Sequence, residues 1–130
     1  MSQELEKQRL MMLARRLAAA TSARVAKWDV AEGDVYLWES QEGSVTIASR
    51  DRDEEPPYEL TVYNPNRNEV DELTSELLHD DQPAPWNEAL VELYRAARRS
   101  ALRADEVIEA LLDALPAAEA LGEPEWERSF

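Results

Sequence analysis

Apolar residues at Leu10, Leu13, Leu17 and Ala20, with Ala14 and Thr21 beside them, recur at helical spacing and predict an amphipathic helix over 3–24. Glu4 and Glu6 open it, Arg24 closes it, and neither Gly nor Pro interrupts it. Trp28 follows in a stretch that reads either as a first edge strand or as a lid on the core.

The period then falls to two. Val35–Glu39, Ser44–Arg50 and Tyr58–Tyr63 read as strands. Ser40-Gln41-Glu42-Gly43 joins the first two as a tight hairpin. The charged stretch Asp51–Glu55 and Pro56-Pro57 precede the third. These connections are too short for helical crossovers, which predicts an antiparallel meander. Asn64-Pro65-Asn66-Arg67-Asn68 is a turn, and Glu69–Leu73 is either a fourth strand or the start of a helix.

Trp86, Leu90, Leu93, Ala97, Ala101, Ala104, Ile108, Leu111 and Leu115 restore the 3.6-residue period. Arg98, Arg99 and Arg103 precede Asp105, Glu106 and Glu109, a segregation that suits one helix ending and the next beginning near 103–105. The expected fold is α+β: an N-terminal helix, a three- to four-stranded antiparallel meander and two C-terminal helices. It forms one domain over 1–116, and 117–130 is expected to be a mobile acidic tail.

Alternation assigns Val35, Leu37, Val45, Ile47, Tyr58, Leu60 and Val62 to a core face. It assigns Tyr36, Trp38, Thr46, Ala48, Glu59, Thr61 and Tyr63 to the other. Three aromatics there, Tyr36, Trp38 and Tyr63, predict a face that meets a partner, because rings with a polar tip suit half-dry surfaces. The competing expectation is that the C-terminal helices cover them within the chain.

Charge alters the functional picture. The net charge is −14 over 130 residues, and Lys7 and Lys27 are the only lysines. Such a balance opposes nucleic-acid binding and favours a basic partner or a salty habitat. There is no cysteine, which excludes disulfides and thiolate metal sites and suits a cytoplasmic location. Arg15 and Arg16 interrupt the apolar stretch near the start, so no secretion signal is expected. No run reaches membrane-spanning length.

Candidate chemistry is sparse. Asp51, Asp53, Glu54 and Glu55 crowd one loop, but Arg52 sits among them, which suits a solvated loop or a partner contact better than a metal. Asn64, Asn66 and Asn68 copy the start of a calcium loop, which fails at Glu69 and Ser75. His79 beside Asp80 and Asp81 has no nucleophile to serve. Gly33, Gly43 and Gly122, the only glycines, build no phosphate-binding loop. Arg95, Arg99 and Arg103 share a helix face suited to the chain's own acids. Trp126 and Phe130, set among acids at the end of the chain, suit a short docking motif.

The expected function is a non-catalytic acidic adaptor that binds or neutralises a basic protein through Tyr36, Trp38, Tyr63, the Asp51–Glu55 loop, Trp126 and Phe130. A homodimer through the sheet is a further expectation. No cofactor, metal, nucleic acid or membrane is expected. In size and charge alone the chain resembles bacterial immunity proteins and secretion chaperones. The alternatives are a DNA mimic, which needs acids in ordered rows on one face, and a small enzyme with an acid/base site outside known spacings.

Overall fold

The structure is a computed structural model that describes residues 2–117. Its elements run α1 (Ser2–Ser22), β1 (Asp29–Glu32), β2 (Val35–Ser40), β3 (Gly43–Ser49), β4 (Tyr58–Tyr63), β5 (Glu69–Thr74), α2 (Asn87–Ala101) and α3 (Ala104–Ala114). This is the expected α+β order. The sheet has five strands rather than three or four, in the order β1-β2-β3-β4-β5, every pair antiparallel. The two extra strands are the segments whose short alternation left them open, after Trp28 and at Glu69. Expectations for Trp126, Phe130 and the tail beyond Ala117 lie outside the described residues.

One core fills the space between the sheet and two helices. Leu10, Ala14, Leu17 and Ala18 from α1 meet Ala89, Leu90, Leu93, Tyr94 and Ala97 from α2. Both helices lie over Tyr36, Val45, Ile47, Tyr58, Leu60 and Leu73. Ala14 and Ala18 are buried while Leu13 is half-buried, so α1 is turned slightly from the expected stripe. Alanines on its inward face permit a close approach of α2.

The link from α1 to the sheet is held by side-chain hydrogen bonds. The Thr21 hydroxyl donates to the Leu17 carbonyl at 2.6 Å and accepts from the Trp28 indole N–H at 2.8 Å. The Trp28 backbone N–H donates to Ser100 Oγ at 2.9 Å. Trp28 therefore seals the core and ties α1 to the end of α2. The α2–α3 break falls at Arg103, which takes a left-handed conformation with φ 56°. Arg99 donates across it to Asp105 at 2.8 Å.

The register of β2 corrects the expected faces. The β2–β3 turn holds only Gln41 and Glu42, so Ser40 pairs with Gly43, Trp38 with Val45 and Tyr36 with Ile47. Paired residues share a face, and a slip of one position exchanges every side chain. Tyr36 and Trp38 thus lie on the helix-covered side, where Tyr36 is 3% exposed. Val35 and Leu37, expected in the core, lie on the opposite side. Grouping by hydrophobicity misassigned one strand; the parity of a two-residue turn decides it.

Candidate functional site

The helices cover one face of the sheet only. The other carries Val35, Leu37, Ser44, Thr46, Ala48, Thr61, Tyr63 and Thr74, none of them buried. Leu37, Thr46, Thr61 and Glu72 form one row across β2 to β5. Glu39, Ser44, Tyr63 and Glu69 form the next. Ala48, Glu59 and Thr74 form a third, beside Val35. Neighbouring strands lie about 4.8 Å apart, so these rows make a continuous surface.

That surface is acidic. Asp29, Glu32, Glu39, Glu59, Glu69 and Glu72 all fall on it, and no lysine or arginine occurs in any strand. Residues 29–85 hold sixteen acids against three arginines, a net −13. Residues 1–28 hold six cations against two acids, a net +4. The molecule is therefore polarised along its layers. The acids are concentrated on and around the sheet. Of the three predicted aromatics, Tyr63 alone is on this face, half-buried.

The Asp51–Glu55 loop is committed to the fold. The fully buried Ser49 hydroxyl lies 2.7 Å from the Glu55 carbonyl and 2.9 Å from Asp53 Oδ1. Asp53 also accepts the Glu55 backbone N–H at 3.0 Å. That backbone bond, followed by the Ser49 hydroxyl, holds the Asp53 carboxyl below the usual aspartate range. Glu54 lies 3.3 Å from Arg98 Nη2 and ties the loop to α2. Asp51 is 3.5 Å from its neighbour Arg50. The loop's charge still adds to the field around the sheet, but two of its four acids brace the structure.

Other candidates resolve into local structure. Asn64 Oδ1 accepts the backbone N–H groups of Asn66 and Asn68, which makes the triplet a turn. His79 is exposed in the loop before α2. Among the described residues no group of three or more His, Asp or Glu side chains is placed to hold a metal ion. A cleft of about 480 Å³ opens where α1 ends against the α2–α3 corner. Its Arg24 and Arg99 both pair with Asp105, and Arg24 also reaches Glu109. No described helix is long and apolar enough to cross a membrane.

Two features escaped the sequence reading. One is the exchange of Val35 and Leu37 for Tyr36 and Trp38, which the turn length signals. The other is that the strands contain no cation, a pattern visible once their bounds are known. No family model, curated protein or solved structure matches the chain.

Proposed function

We propose that this chain is a non-catalytic acidic adaptor that docks a basic protein on the uncovered face of its sheet. The observation that carries this reading is the composition of that face: six carboxylates, no cation on its strands, and half-buried Val35, Leu37 and Tyr63 set among them. A solvated face needs no such apolar groups. Long-range attraction would steer the partner and raise its association rate by about 10–10³. Desolvation of Leu37 and Tyr63 would then hold it, as buried central residues do at hot spots.

The DNA-mimic reading gains from the same face, since its acids share one side. The half-buried Val35, Leu37 and Tyr63 favour a protein partner, because phosphate mimicry uses charge without apolar contacts.

The test is capture from the source cell by the immobilised full chain, by Glu59→Lys/Glu72→Lys and by Leu37→Ser. The expected result is one predominant basic protein, released by salt and lost with both variants. Equal retention by the variants, or an acidic or nucleic-acid-associated catch, contradicts the proposal.

A further inference from the structure

α3 is held to the rest of the protein by ion pairs: Asp105 lies 2.8 Å from Arg99 and 3.3 Å from Arg24, and Glu109 lies 3.7 Å from Arg24. Its apolar side faces outward. Val107, Ile108, Leu111, Leu112 and Leu115 are between 48% and 65% exposed, and no residue of the helix is buried. At 100° per residue, Ala104, Ile108, Leu111 and Leu115 fall on one line, with Val107 and Leu112 flanking it. Glu106, Glu109 and Asp113 fall on the opposite side, and Asp105 lies at its margin, clamped by Arg24 and Arg99. Among the described residues nothing packs on the stripe. Single exposed apolar residues are ordinary, but four on one helix, with Leu115 at its C-cap, mark a contact surface.

We infer that α3 pairs antiparallel with α3 of a second copy of this chain. The stripe is self-complementary, as a two-fold contact requires. Centring the pair between Glu109 and Ala110 sets Ala104 beside the partner's Leu115, Val107 beside the partner's Leu112 and Ile108 beside the partner's Leu111. No carboxylate enters this seam, because α3's acids face away from it. The same axis brings Arg103 to the C-terminal end of the partner helix. Arg103 is exposed and makes no ion pair among the described residues. The last turn of α3 has no basic residue, so its free carbonyls offer that cation a site. A dimer through the sheet would instead set six carboxylates against six. The α3 seam leaves the acidic face open, so this inference stands independently of the proposed function.

Sedimentation equilibrium of the full chain over a concentration series tests it. A reversible dimer is expected, strengthened by salt, which screens repulsion between two chains of net −14. Leu111→Gln with Ile108→Gln should weaken it about tenfold or more. The chain has no cysteine, so single replacements are clean probes of the seam. Leu111→Cys should oxidise to a covalent dimer, and Glu106→Cys, on the opposite side of α3, should not. A chain that stays monomeric, a dimer indifferent to the paired Gln variant, or equal cross-linking at both cysteines overturns the inference. Near-UV circular dichroism confirms that the variants keep the native core.

Discussion

Tyr94 of α2 stacks on Tyr58 of β4 with ring centroids 4.4 Å apart and an interplanar angle of 19°. Tyr36 leans against the same ring at 5.7 Å. The cluster joins the helix layer to the sheet, yet the buried Tyr94 hydroxyl has no hydrogen-bond partner. Tyr94→Phe keeps the ring and removes the orphaned group. It should leave stability unchanged or raise it by up to about 1 kcal/mol, read from urea midpoints. A loss above about 1 kcal/mol would show that the hydroxyl is paired.

The same cluster sets the alkaline limit. Burial, then the neighbouring Tyr36 and Glu54, push the Tyr94 phenol up to about 12. Burial, then Glu55, pushes Tyr58 upward as well. In the unfolded chain both ionise near pH 10. The folded state holds their protons longer, so their contribution is complete below pH 10 and is lost as pH rises toward 12. Phenolate absorbance during alkaline titration should rise together with the loss of ellipticity. Tyr94→Phe should delay both.

Asp53 works in the opposite sense. Its carboxyl lies below the ordinary value of 3.8, so its contribution is present above that pH and is lost as pH falls through the folded value. Asp53→Asn should flatten the acid limb of stability below pH 4, measured by thermal melts across pH. An unaltered acid limb would mean that the Ser49–Asp53–Glu55 bonds are not maintained in solution.

Gly43 is required by two constraints. Its φ is 150°, and a Cβ there would collide with the Tyr63 carbonyl oxygen on β4. Gly43→Ala should cost about 1–3 kcal/mol in chemical denaturation and loosen the β3–β4 pairing. Gly33→Ala, with open space around it, should cost less despite its positive φ. Equal costs would show that the close approach to Tyr63 carries no weight.

Much of this fold was legible because its helices obey one period and its strands another. The break at 103–105 could be read from charge alone, and Arg99 and Asp105 pair across it. The β2 faces could not be read from hydrophobicity, since Val35, Tyr36, Leu37 and Trp38 are all apolar. Only the two-residue turn settles which of them meets Val45 and Ile47. The site was hidden for a related reason. Carboxylates far apart in sequence, such as Glu59 and Glu72, become neighbours only through strand register. α3 shows the limit of periodicity: its stripe continues that of α2, but the pattern cannot reveal that the second half is left uncovered.

The most direct measurement of the central claim is site-specific photo-cross-linking from Leu37 in the uncovered sheet face, compared with Met12 on the outward side of α1. In the source cell, the probe at position 37 should capture a basic protein. The adduct should fade with salt and disappear in the Glu59→Lys/Glu72→Lys background. An adduct from position 12 with none from position 37, or position 37 capturing nothing, would contradict the assignment of this face as the docking surface.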